Sequence, residues 1–181
     1  MRVHTIVDRQ AMQELKKYLL RPRGRKGLQI LMGVLALVAV GAVLYGEFAT
    51  TTICLFGVLV FGVEIIALEN QQVKLSLKRL QELYGEDRAE GELVFLPEEL
   101  QVINTKTGGH LEMEYSTVER LVESTHYYAM FTKEYQLMVV DKAQFDEQSE
   151  RAFLQEIEGH MPSIRRINAV KKAGKAEKCN K

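Results

Sequence analysis

Among the side chains able to do chemistry, Glu64 is the most anomalous, because it stands inside the apolar run Thr50–Leu68. A carboxylate at the centre of a hydrocarbon layer costs about 3 kcal/mol or more, so a site is the default reading of such a residue. It would carry a proton or an ion across. Glu64 is, however, only four residues from the end of its run, level with Gln29 and Met32 of an earlier apolar run. There it can instead reach headgroups, pair with Arg25 or Lys26, or stay protonated. The interfacial role is the simpler expectation.

Other reactive groups are scattered. His4, His110, His126 and His160 have no metal-ligand spacing to one another or to Cys54 and Cys179. Two cysteines so placed form no disulfide framework and fit a reducing compartment. There is no HExxH, no G-x-S-x-G and no phosphate-binding glycine loop. The pair Gly108-Gly109 reads as turn chemistry. Acid pairs such as Glu98/Glu99 and Glu112/Glu114 read as solvated faces. The expectation is therefore no catalytic residue, no cofactor and no metal.

Two clusters carry binding chemistry. Lys16, Lys17, Arg21, Arg23, Arg25 and Lys26 form a basic group before the first apolar run. Beside an anionic leaflet each such charge is worth about 1 kcal/mol, although the same residues also serve as topology determinants. The second cluster is Tyr127, Tyr128 and Phe131, with Tyr135 opposite. Neighbours on a strand face opposite sides. One tyrosine should thus point away from the core, either into a peptide or lipid groove or into ordinary cross-strand pairing.

The elements that position these groups begin with the apolar runs, Leu28–Tyr45 and Thr50–Leu68. As helices they measure about 27–29 Å, close to the ~30 Å hydrocarbon core. Only Gly46–Ala49 separates them, so they form an antiparallel transmembrane hairpin. Arg21, Arg23, Arg25 and Lys26 precede it, Lys74, Lys78 and Arg79 follow it, and the linker has only Glu47. The positive-inside bias places both termini in the cytoplasm of a multi-pass cell-membrane protein. The first run starts late, lacks an A-x-A site and is followed at once by a second. No removable signal peptide is expected.

Ahead of the hairpin, residues 1–27 read as a short strand (Val3, Thr5 and Val7 alternating) and a helix capped by Asp8. Met12, Leu15, Leu19 and Leu20 give that helix an apolar face, to lie on the bilayer or pack on a domain. Pro22 and Gly24 end it. After the hairpin, residues 69–85 continue as a stalk helix with Val73, Leu77, Leu80 and Tyr84 on one face and Gly85 as its stop.

From Glu90 the period changes to two. Strands are expected at Leu93–Leu96, Leu100–Thr105, His110–Tyr115, Val118–Glu123, Tyr127–Thr132 and Tyr135–Val140. A helix follows from Glu147 to Met161, with Asp146 as cap, Phe153 and Ile157 inward, and Pro162 as stop. Residues 162–181 read as a basic disordered tail. The fold class expected is thus α+β: a two-helix transmembrane hairpin plus a small antiparallel sheet with a C-terminal helix over residues 90–161. A bent antiparallel meander closed by one helix is the arrangement of pleckstrin-homology-like domains. The strand at Arg2–Val7 can complete the sheet, which would make the hairpin an insertion.

Charge is segregated although the formal sum is zero. Residues 1–27 hold eight basic and two acidic residues, residues 82–160 six basic and eighteen acidic, and residues 161–181 seven basic and one acidic. An acidic folded domain is the opposite of a nucleic-acid interface, so no nucleic-acid partner is expected. The acidic domain and basic flanks could attract one another between copies, which allows a homo-oligomer.

The stretch Leu111–Phe145, LEMEYSTVERLVESTHYYAMFTKEYQLMVVDKAQF, resembles the YcxB-like family of small bacterial membrane proteins. The resemblance rests on the architecture (a short strand and helix, two membrane spans, then a small sheet domain ending in a helix) and, in this stretch, on Tyr115-Ser116, the step Val118 with Leu121 and Val122, the aromatic strand Tyr127–Phe131, and Lys142 with Phe145. The family often has proline before that lysine, where this chain has Asp141. The resemblance implies a pleckstrin-homology-like cytoplasmic domain and carries no catalytic residue. The functional expectation is a non-enzymatic scaffold or regulator that binds a protein partner or anionic lipid. The alternative is a subunit of an oligomeric transport or channel assembly that uses Glu64.

Overall fold

The computed structural model describes residues 1–20, 22–134 and 136–170. Arg21, Tyr135 and residues 171–181 lie outside the described residues, as do the side chains of Pro22 and Arg23. The chain forms two compact units: Met1–Leu15 together with the chain from Ser76 onward, and Lys16–Leu75.

The first unit is built on a mixed eight-stranded sheet. Its strands are β1 (Arg2–Val7), β2 (Ala89–Phe95), β3 (Glu99–Asn104), β4 (His110–Glu114), β5 (Val118–Glu123), β6 (Tyr127–Thr132), β7 (Leu137–Asp141) and β8 (Arg165–Asn168). They lie in the order β4-β3-β2-β1-β7-β6-β5-β8. Two antiparallel meanders, β1–β4 and β5–β7, meet at a thin seam where β1 touches β7 through Thr5 and Val140. β1 pairs with β2 along its whole length, Arg2 opposite Val94 through Val7 opposite Ala89. The long insertion between the two strands therefore leaves their register intact.

Two corrections to the sequence reading arise here. The sheet is not wholly antiparallel, and residues 162–181 are not all tail, because β8 lies parallel to β5 with Ile167 opposite Val122. Asn168 Nδ2 donates to Glu123 at 2.8 Å and Arg166 pairs with Glu158 at 2.7 Å, which fastens this short charged strand.

Helix α4 (Glu147–His160) begins at Asp146, whose carboxylate accepts from the Ser149 amide at 2.7 Å, while Ser149 Oγ accepts from the Asp146 amide. The two bonds satisfy donors the helix would leave open. Phe153 and Ile157 are wholly buried against Leu93, Leu100, Tyr128, Met130 and Val140. Phe153 meets the rings of Phe145, Tyr128 and Phe95 at 5.1, 5.5 and 6.0 Å. Asp141 accepts from the Ala143 amide at 2.8 Å and so shapes the turn after β7.

Residues of the opposite parity on β6 are buried as well. Helix α1 (Arg9–Leu19) starts at Asp8, which accepts from the Ala11 amide at 2.7 Å. Its Ala11, Met12 and Leu15 are buried. Its apolar face thus packs against protein, the second of the two expectations for it.

Gly91 is the glycine that packing most demands. A Cβ there would stand 2.6 Å from the Ile103 carbonyl oxygen and 3.0 Å from Thr5 Oγ1. Neither strand can give way without losing ladder bonds. Gly91→Ala is expected to lower the stability of this unit by about 1–3 kcal/mol, read as an earlier urea midpoint followed by tyrosine fluorescence.

The second unit is a helical hairpin. Helix α2 (Pro22–Leu44) starts six residues before the expected Leu28, with proline in the first turn, where its missing N–H costs nothing. It ends in a Schellman motif: Gly46 at φ +74° donates to Val43 and Glu47 donates to Ala42 at 2.8 Å. Helix α3 (Phe48–Tyr84) runs on without interruption and stops at Gly85, φ +72°. Where α2 meets α3, Ala39 and Cys54 are buried and Leu35 lies 3.3 Å from the position of a Gly57 Cβ.

Candidate functional site

Both α2 and α3 are long and apolar enough to cross a membrane. Only 11% and 6% of their most apolar stretches are buried. That separates them from core helices of the same composition, which bury most of their surface. Leu37, Leu44, Ile53, Phe56 and Leu59 all stand exposed on the outside of the hairpin.

The basic group is distributed among different tasks. Arg25 is committed: Nη1 donates to the Lys17 carbonyl at 2.8 Å, and Nη2 lies 3.4 Å from Glu69 Oε1. Glu69 is buried, and neither its Oε1 nor Arg25 Nε has an aligned hydrogen bond, so the pairing is mainly Coulombic. Lys17 and Lys26 are exposed, and they form no ion pair among the described residues. Lys16 is half-buried. Arg21 lies outside the described residues, and so does the Arg23 side chain.

Glu64 does not pair with Arg25. It is exposed on α3, without a partner among the described residues. The partner of Arg25 is Glu69, which the sequence reading passed over. A signal was available: Arg25 is 19 residues from the tip end of α2, Glu69 is 21 from that of α3, and Glu64 is only 16. At ~1.5 Å per residue the first two are nearly level.

The aromatic strand does not make a groove. Tyr127, Tyr128 and Phe131 are each under 5% exposed, and Tyr135 lies outside the described residues. Tyr128 turns toward α4, where its hydroxyl donates to Glu150 at 2.7 Å. Lys142 sits 4.4 Å above its ring and reaches Glu123 at 3.0 Å. Burial, then the bond to the Glu150 carboxylate, pushes the Tyr128 phenol well above its ordinary range. Tyr127 is pushed up to about 12 by burial and by the charges of Asp8, Asp141 and Glu14. Both phenols stay neutral at physiological pH and act in packing. Phe131 lies beneath the Arg120 guanidinium at 4.3 Å.

Glu14 links α1 to the β5–β6 turn. It accepts from the His126 amide at 3.0 Å and meets His126 Nδ1 at 2.9 Å. Burial pushes its carboxyl up, but the bonds from His126 and Ser124 outweigh that and hold it below its usual 4.5. A carboxyl lowered by folding adds stability above its unfolded pKa and loses it as the pH falls through the folded value. Amides of α1 are therefore expected to exchange faster, after correction for intrinsic rates, once the pH falls below about 4.5. Glu14→Gln should remove most of that pH dependence.

Among the described residues no group of three or more His, Cys, Asp or Glu side chains is placed to hold a metal ion. No curated protein and no solved structure matches the chain. Residues 95–157, from the end of β2 into α4 and about a third of the chain, match the model of the family described as YcxB-like protein. The stretch Leu111–Phe145 that carries the resemblance lies wholly inside that match, and the sheet-and-helix segment 95–157 is a YcxB-like region.

Proposed function

We propose that the chain is a non-enzymatic integral membrane protein, anchored by the α2–α3 hairpin with both termini cytoplasmic. Its sheet unit would act at the cell membrane as a scaffold or regulator that binds a protein partner or lipid headgroups. The observation that carries this reading is the exposed apolar surface of a hairpin whose two helices bury so little of themselves. Water would oppose such a surface by about 25 cal/mol per Å², whereas lipid tails would cover it. The Lys/Arg bias around the hairpin supplies the orientation. The strand order, a four-strand and a three-strand meander closed by a helix after the last, supports a pleckstrin-homology-like domain into which the hairpin is inserted.

The test is cysteine accessibility. In a Cys54→Ala background, Glu47→Cys with Cys179→Ser should react with a membrane-impermeant maleimide in intact cells. Native Cys179 alone should react only after permeabilisation. Equal labelling of both positions in intact cells would contradict the orientation. Native mass spectrometry after gentle detergent release then reads copy number and retained lipid. Retained anionic lipid that is lost on replacing Lys16, Lys17 and Lys26 by glutamine supports headgroup binding.

One observation favours a second reading. Glu64 is a carboxylate on the outer, apolar surface of α3, and association of hairpins around it would shield it in a transport or channel assembly. Unchanged conductance or flux in Glu64→Gln would remove that reading.

A further inference from the structure

A cleft of about 340 Å³ lies wholly within the sheet unit, between the end of α3 and the sheet. We propose that it binds a single-chain anionic amphiphile, a fatty-acid-like carboxylate, with the alkyl chain in the cleft and the head on Arg79. This deepens the lipid-binding reading above by naming a ligand class and a site separate from the basic group.

Three observations converge. The walls are apolar: Val7, Met12, Leu80, Val102, Leu137 and Val139 line the cleft. Ligand sites of this kind pair a mostly apolar wall with few polar groups that fix orientation. The volume is near the lower end of the ligand-site range of ~300–1,000 Å³, which suits one short chain and excludes a two-chain lipid.

Two charged side chains line the cleft, Glu90 and Arg79. Glu90 pairs with Arg88. Arg79 lines the cleft and forms no ion pair among the described residues. Its planar guanidinium matches a carboxylate through two parallel bonds. Tyr84, on the same wall, already accepts from Asn104 Nδ2 at 2.9 Å and keeps its own hydroxyl proton to donate. A cationic head would meet Arg79 unfavourably, and a neutral one would leave it unanswered.

The test uses the full chain in phosphatidylcholine nanodiscs at pH 8, with radiolabelled dodecanoate in equilibrium dialysis and empty discs as background. Dodecanol serves as the neutral-head control. Saturable uptake of one dodecanoate per chain is expected. Arg79→Gln should weaken dodecanoate at least tenfold and leave dodecanol unchanged, and Leu80→Trp, filling the cleft, should abolish saturable uptake of both. Arg79 is exposed, so its variant is expected to fold. No uptake above empty discs would overturn the proposal. So would wild-type affinity in Arg79→Gln, or uptake that persists in a folded Leu80→Trp. The discs carry no anionic phospholipid, so failure here leaves headgroup binding by Lys16, Lys17 and Lys26 standing, and loss of that binding leaves this site standing.

Discussion

Phe153→Ala is expected to destabilise the sheet unit by about 3–5 kcal/mol, the range for truncating a buried phenylalanine. Phe153 has no exposed surface, and three aromatic rings surround it within about 6 Å. The cavity would sit where α4 meets β2 and β6, so relaxation on one side must break packing on the other. Few rearrangements can fill it. The exposed Gln155→Ala, on the same helix, should stay within about 0.5 kcal/mol of the parent. Urea unfolding in mild detergent, followed by tyrosine fluorescence, reads both; the chain has no tryptophan and seven tyrosines. A loss below about 1 kcal/mol at Phe153 would mean that α4 is not seated on the sheet. Because β8 follows α4 and bonds to Glu123 of β5, its amides should lose exchange protection along with α4.

The parts of this unit that could be read from sequence are those whose cause is local. β5 and β6 occupy the residues expected for them, Asp146 caps α4, and Gly85 ends α3 in the left-handed region. In each case the deciding interaction is within a few residues of its signal. What could not be read depends on distant partners. β8 is four residues, RRIN, with neither alternation nor an apolar run, and it exists because the β5 edge and Glu123 are there to receive it.

Phe131 and the two tyrosines are a different case, since their signal was misjudged. A strand reading YYAMFT is apolar at both parities, the mark of a strand covered on both faces. The expectation of one exposed tyrosine assumed a single covered face. Helix α1 supplies the second cover with Ala11, Met12 and Leu15, and Tyr127 lies in the field of Asp8 and Glu14.

Within the hairpin unit, Arg25→Met should cost about 3 kcal/mol, because it strands Glu69 as a buried charge without its cation. The reciprocal change should be milder. Glu69→Leu leaves Arg25 bonded to the Lys17 carbonyl and 29% exposed, so water can still solvate the guanidinium. The double variant Arg25→Met with Glu69→Leu should recover most of the loss, since apolar residues of similar volume replace a buried pair at little cost. The readout is helicity of the full chain during titration of mild detergent micelles with dodecyl sulfate, compared across the four forms as a double-mutant cycle. If Arg25→Met matches the parent, water rather than Arg25 is answering Glu69, and the pair is not what ties Lys17 to the start of α2. If the two single variants lose equally and the double loses their sum, the residues act independently. A large loss at Arg25 alone with rescue in the double would identify the guanidinium as the brace joining Lys17, the start of α2 and α3.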